Sequence, residues 1–128
     1  MRLLLDTHVL LWFYLDDPQL NATARSFILE ASHSKFVSPA SYWEIAIKIG
    51  KKKYALSKPF EEAMQEAIQL NGFSILHIEP RHTALLTTMP PHHNDPFDRL
   101  LVAQALSEDI PIVSADSQLD AYGVNRLW

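Results

Sequence analysis

The sequence predicts an α/β fold, a three-layer α/β/α sandwich around a central, mostly parallel sheet. Three observations lead there. Short apolar runs of strand length recur along the chain, at Leu3–Leu5, Phe36–Val37, Phe73–Ile78 and Ile110–Ser114. Between them lie longer stretches marked by helix-start and helix-stop residues, and strands alternating with helices build parallel sheets covered on both faces. With 128 residues, 48% of them apolar and 20% charged, the chain is too apolar for disorder. It suffices to bury roughly two-thirds of its unfolded surface as one domain, residues 1–128.

Taken in order, Leu3-Leu4-Leu5 reads as a buried strand ending at Asp6-Thr7. Val9 to Leu15 is apolar almost all round and predicts a buried helix, capped by Asp6 or Thr7 and closed by Asp17-Pro18. Asn21 or Thr23 starts a second helix with Ala24, Phe27, Ile28 and Ala31 on one face. Phe36-Val37 is the second strand, ended by Ser38-Pro39, and Ser41–Gly50 the third helix. Pro59 opens a helix over Phe60–Leu70, which Asn71-Gly72 stops because both tolerate left-handed geometry. Phe73–Ile78 alternates as a strand does, Pro80 starts a helix to about Thr88, and Pro90-Pro91 forces a loop.

Asp95-Pro96 is the clearest helix start in the chain, since an Asx side chain caps free N–H groups and Pro suits the first helical position. Asp98 then falls in the first turn, with Leu101 and Val102 on its face of the helix. A carboxylate heading an apolar stripe points inward or into a cleft. Ile110–Ser114 follows as a strand in which Pro111 takes an edge or entry position, and Val124–Trp128 adds an edge strand.

The absence of cysteine excludes disulfides and thiolate metal sites. A net charge of -4 argues against a general nucleic-acid coat, so any nucleic-acid contact falls to a local patch such as Lys48, Lys51, Lys52, Lys53 and Lys58. Met1–Leu5 is interrupted by Asp6 and His8 and is followed by no small-residue cleavage site. No run approaches the roughly 18 apolar residues of a membrane span. The expectation is a cytoplasmic protein without membrane contact.

In parallel sheets the C-terminal strand ends share one edge, where sites collect. Asp6 ends the first strand, Asp116 follows the Ile110–Ser114 strand, and Glu44 and Asp98 occupy first turns of helices whose N-termini face that edge. Topology therefore brings together four acids distant in sequence. Each has a structural alternative: Ser41-x-x-Glu44 is a capping-box pattern, Glu44 lies four residues before Lys48, and Asp6, Asp95 and Asp116 suit caps. A cap contributes roughly 1 kcal/mol, whereas two carboxylates about 4 Å apart repel by about 4 kcal/mol at an effective dielectric near 20. Converging acids therefore call for a divalent cation, and hard oxygen ligands select magnesium or manganese. Such sites hydrolyse phosphodiesters.

The neighbouring residues are less specific. His92 and His93 form an adjacent loop pair without helical i,i+4 spacing, a poor zinc pattern. Thr7 stands beside Asp6, where its hydroxyl serves a cation-bound water, a phosphate or its own helix cap. Arg99 and Lys48 suit phosphate contact or plain surface charge.

Leu4-Leu5-Asp6-Thr7-His8, Ser41-Tyr42-Trp43-Glu44-Ile45-Ala46-Ile47-Lys48, His93-Asn94-Asp95-Pro96-Phe97-Asp98-Arg99-Leu100-Leu101 and Ser114-Ala115-Asp116, in that order, resemble a PIN domain. The likeness is to the VapC-like ribonuclease toxins of type II toxin–antitoxin systems. It spans the chain, and Asp-Pro-Phe-Asp-Arg is its most specific block. The resemblance implies a magnesium- or manganese-dependent endoribonuclease toxin that cleaves structured RNA such as transfer RNA. It also implies a homodimer and a cognate antitoxin that occludes the acidic pocket; the apolar helix Val9–Leu15 adds slight support for the dimer. The family's metal-binding acids fall on Asp6, Glu44, Asp98 and Asp116, with Asp120 near the last of them. Asp95 falls behind these acids or at the helix cap.

The competing reading is a non-catalytic, magnesium-binding signalling domain of the receiver type. That needs paired acids ending the first strand and a lysine ending a late one. Here Leu5 precedes Asp6 and the late strand ends in Ser-Ala-Asp. A flap or 5′ nuclease needs helical insertions for which the chain has no room.

Overall fold

The computed structural model describes residues 1–128. The chain runs β1 (Arg2–Leu5), α1 (Thr7–Leu15), α2 (Ala22–Leu29), β2 (Ser34–Val37), α3 (Pro39–Gly50), α4 (Phe60–Gln65) with a π-helical turn (Glu66–Leu70), and β3 (Ser74–Ile75). It continues through α5 (Pro80–Leu86), α6 (Pro96–Glu108), β4 (Ile112–Val113), a 3₁₀ helix (Ser117–Tyr122) and β5 (Arg126–Leu127). The sheet order is β3-β2-β1-β4-β5 and every pairing is parallel. The expected three-layer α/β/α architecture is therefore present. No helix is long and apolar enough to cross a membrane.

β1 is central and explains the two-sided core. Side chains alternate across a strand, so Leu3 and Leu5 pack with Val9, Leu10, Ala24, Ile28 and Ile45 on one face, while Leu4 packs with Leu101, Val102, Ala105 and Ile112 on the other. All three leucines are fully buried. Burying each contributes roughly 2 kcal/mol, and a continuous apolar run is what a strand covered on both faces requires.

The structure corrects several boundaries. α3 starts at Pro39 under the Ser38 cap, whose hydroxyl accepts from the Ala40 N–H, so the expected Ser41–Glu44 capping box does not form and Glu44 lies in the second turn. Ser38-Pro39 ends the strand and also starts the helix, with Pro at the position where a missing N–H costs nothing. Asn21 caps α2, which ends at Leu29, leaving Ala31 exposed beyond it. β3 keeps two of the six residues expected, and β4 two of five. β4 lies between β1 and β5, so Pro111 stands at the entry of an interior strand, its carbonyl accepting from the Leu4 N–H.

Away from the carboxyl edge, a second cluster ties β1, α5 and α6 together. The fully buried His82 accepts the Glu79 N–H at Nδ1 (3.0 Å), which leaves its proton on Nε2, donated to Glu108 Oε2 (3.0 Å). Glu108 also pairs with Arg2 (3.1 Å) and with Arg81. The His82 hydrogen bond, then those from Arg2 and Arg81, outweigh burial and hold the Glu108 pKa down at about 2.

Candidate active site

The strand order reverses direction beside β1, since β2 and β3 lie on one side of it and β4 and β5 on the other. Ligand sites in open α/β sheets form at such a switch point, beyond the carboxyl ends of the strands. Asp6 follows β1 there and Asp116 follows β4. Asp6 caps α1, its Oδ1 accepting from the Val9 N–H at 2.8 Å. Asp116 caps the 3₁₀ helix, its Oδ1 accepting from the Gln118 N–H at 3.0 Å. Each keeps a second oxygen, so capping and a second role coexist in one carboxylate.

Asp98 completes the group. Asp95 Oδ1 accepts from the N–H groups of Phe97 (2.8 Å) and Asp98 (3.2 Å), fixing the first turn of α6 and with it the Asp98 side chain. Asp6, Asp98 and Asp116 line one cleft of about 250 Å³, together with His8, Trp12 and Ala115. Glu44 does not line it. It lies close enough for its charge to act on Asp98, is 3% exposed, and pairs through Oε2 with Lys48 Nζ at 2.9 Å. Its other oxygen is buried with no hydrogen-bond partner.

The electrostatics follow from burial and crowding. Burial, then the charges of Asp95, Asp6 and Glu44, push the Asp98 pKa up to about 7, with His93 opposing. Burial also raises Asp6, against the pull of the Ser114 hydroxyl and the Val9 N–H. Burial disfavours the Lys48 charge, but its hydrogen bond to Glu44 and that carboxylate's charge more than offset this and raise its pKa.

His93 also reaches the cleft, although as one of an adjacent loop pair it showed no ligand spacing in the sequence. Its Nδ1 accepts the Asp95 N–H (3.1 Å), so the Nε2 proton is directed at Asp116 Oδ2 (2.9 Å), with Asp98 Oδ2 at 3.4 Å. The imidazole thus lies between two carboxylates as a hydrogen-bond donor. The proline-rich loop that carries it has no periodicity from which its path is readable.

The remaining sequence-level candidates separate. Thr7 is buried and donates to Ser41 Oγ at 3.1 Å, joining α1 to α3. Asp120 is bound by Arg126 through both oxygens (2.8 and 3.1 Å), which leaves Asp116 as the acid facing the cleft. Lys51, Lys52 and Lys53 are exposed past the end of α3, whereas Lys58 is paired with Glu66. Arg99, a candidate for phosphate contact or plain surface charge, donates to the carbonyls of Pro90 (2.9 Å) and Met89 (3.3 Å) and to the Tyr122 hydroxyl (3.1 Å). Its fork is used on the loop that carries His93. Arg99→Ala is expected to speed amide hydrogen exchange at His93 and Asp95 while leaving exchange in β1 unchanged. Unchanged loop protection would remove this clamp role.

The largest cavity, about 470 Å³, lies elsewhere, among Tyr42, Phe60, Met64, Ile68, Phe73 and Ile75. It is mainly apolar and gathers no group of titratable side chains, so the smaller acidic cleft is the better candidate for chemistry.

Comparison with known proteins agrees with this arrangement. No curated protein sequence matches the chain. Among solved structures, a chain of VapBC2 from Rickettsia felis, bound to a promoter DNA fragment, superposes with a TM-score of 0.67 at 13% identity, over 98% of this chain and 97% of that one. VapBC-1 from nontypeable Haemophilus influenzae gives 0.66 at 16% identity over 98% and 96%. FitAcB from Neisseria gonorrhoeae gives 0.63 at 18% over 97% and 95%. At these identities the likeness establishes the shared fold. The PIN domain family model matches residues 3–125, a span that includes Asp6, Glu44, Asp98 and Asp116. An acid cleft at the switch point of a parallel sheet, within a match running almost from end to end, makes this chain a member of the PIN domain family.

Proposed function

We propose that the protein is a magnesium- or manganese-dependent endoribonuclease, the toxin of a type II toxin–antitoxin pair, acting on structured RNA such as transfer RNA. The observation that carries this reading is the meeting of Asp6, Asp98 and Asp116 in one cleft, with Asp98 held near neutrality. Carboxylates so crowded repel one another, and a divalent cation relieves that repulsion. The donor set fits such an ion: hard oxygens and no thiolate, with negative charge added behind them by Glu44, one of whose oxygens is buried without a partner.

In this reading Asp6, Asp98 and Asp116 would hold the cation, with Glu44 behind them contributing charge. When bound, the ion polarises the phosphate and lowers the pKa of water. The chain's own residues prepare the site. Val9, Gln118 and Asp95 set the carboxylates through backbone hydrogen bonds, and Thr7 and Ser41 brace the two helices flanking Asp6 and Glu44. Asp98 would hold the cation through its carboxylate, and His93 Nε2 is placed to hydrogen-bond Asp116 Oδ2, with Asp98 Oδ2 at 3.4 Å. Lys48, Lys51, Lys52 and Lys53 supply positive charge for the RNA backbone.

The family membership supports nuclease chemistry, and the similar toxin–antitoxin structures support an antitoxin partner; a homodimer is part of the same reading and rests on the family resemblance and the apolar run Val9–Leu15. The receiver-type alternative gains nothing, since no lysine lines the cleft. Purified protein is expected to cut a transfer RNA pool at discrete sites with magnesium or manganese and to stop with EDTA. Cleavage that persists in EDTA would overturn the cation-dependent reading.

A further inference from the structure

One wall of the acid cleft is aromatic, and cation chemistry alone gives it no role. His8 and Trp12 line the cleft beside Asp6, Asp98 and Asp116. They lie one turn apart on α1 with their rings stacked, centroids 5.5 Å apart at 30°. Trp12 is half-buried and touches Trp128, centroids 6.1 Å apart, whereas His8 is exposed. The Tyr54 hydroxyl is hydrogen-bonded to His8 Nε2 at 3.2 Å and accepts from Lys48 Nζ at 3.4 Å. Lys48 also lies over the Tyr54 ring, 5.3 Å from its centroid. A rim therefore runs from the Lys48 ammonium, which is also paired with Glu44, to a flat, exposed ring next to the carboxylates.

A nucleic-acid strand presents charged phosphates and flat bases in alternation, and this rim offers a partner for each. Stacking on an aromatic face tolerates any base, because every base has a π-face. A base inside a duplex has both faces covered and must be unpaired or extruded to use such a surface. A ring serving only the core would be buried; His8 is held by Tyr54 and backed by Trp12 with its imidazole still exposed. We propose that the His8–Trp12 pair is a stacking platform for an unpaired base next to the scissile phosphate, so that cutting takes place at unpaired positions within a structured RNA. This rests on the ribonuclease reading and assigns its substrate contact.

The test is binding of short labelled oligoadenylate, with calcium in place of magnesium, followed by fluorescence anisotropy. His8→Ala and Trp12→Ala are expected to weaken binding about tenfold or more, whereas His8→Phe, which keeps a flat ring, binds like wild type. A strand of abasic ribose phosphates should bind wild type as weakly as oligoadenylate binds His8→Ala, and a blunt RNA duplex should not respond to either change. Melting temperatures check the fold, and exposed His8 is expected to leave them unchanged. Equal binding by wild type and His8→Ala would overturn the platform. So would a loss in His8→Phe matching that in His8→Ala, which would assign the ring's nitrogens rather than its face. If wild type still cuts the transfer RNA pool in a metal-dependent way, either result removes the platform alone. Wild type that neither binds nor cuts RNA would remove both readings.

Discussion

Asp98→Asn is expected to reduce RNA cleavage by about 10²–10³-fold, the scale for removing one charged or hydrogen-bonding group from a transition-state site. The same change should leave the metal-free fold as stable as wild type, or more so. The Asp98 pKa rises from 3.8 to about 7 on folding. Between these values the folded state holds a proton that the unfolded state has lost, so metal-free stability falls as pH rises from about 4 to about 7. The shift corresponds to about 4 kcal/mol at 1.36 kcal/mol per unit. The side chain is 25% exposed, and solvent screening brings this to on the order of 2–3 kcal/mol. Asn removes the charge and hence that slope. Thermal melts in EDTA across this pH range compare the two proteins, and magnesium should raise the melting temperature of wild type only. A variant that melted earlier at every pH would instead make Asp98 a contributor to the start of α6.

Glu108→Ala is expected to do the reverse: lower stability by about 2–3 kcal/mol with cleavage per folded molecule unchanged. Its main cost is a buried His82 Nε2–H left without an acceptor, added to the loss of charge-assisted bonds from Arg2 and Arg81. The two guanidinium groups are half exposed and regain water, which keeps the loss below that of a fully buried ion pair. For a chain of this length the melting temperature should fall by roughly 6–10 °C. The Glu108 pKa is depressed on folding to about 2, so its contribution is complete above about pH 4.5 and disappears as pH drops toward 2. The gap between wild type and variant should therefore narrow in acid, as the charge-dependent part is lost. A variant with unchanged melting at neutral pH would show that the cluster does not tie α5 to α6. Reduced cleavage by the folded variant would mean that it reaches the cleft.

The parts of this molecule that were readable in sequence were those set by local chemistry. Asp95-Pro96 starts α6 because an Asx cap and a proline at the first position act within one turn. The acids Asp6 and Asp116 were legible because each follows an apolar strand, at once for Asp6 and after Ser114-Ala115 for Asp116, and parallel topology then puts strand ends on one edge. Parts that depend on distant partners were not legible. The short extent of β4 follows from its two-residue neighbour β5 and from Pro111 at its entry, and that of β3 from pairing with only the last two residues of β2. The position of His93 depends on how Arg99 holds a proline-rich loop, and Glu108 meets His82 only through the packing of α5 on α6. His8 and Trp12 lay between these cases. Their spacing of four residues on α1 was available, but an apolar run hides a stripe of aromatic rings.

Pairing across the switch point also shapes how the molecule comes into being. Leu4 and Leu5 pair with Ile112 and Val113, near opposite ends of the chain, and contacts so remote in sequence close slowly. As the chain leaves the ribosome, β1, α1 and β2 can associate early, yet Asp6 has no Asp116 to face until β4 has been synthesised and docked. The cleft therefore depends on a pairing that only a nearly full-length chain can make, and a fragment ending before β4 carries Asp6 and Asp98 without Asp116.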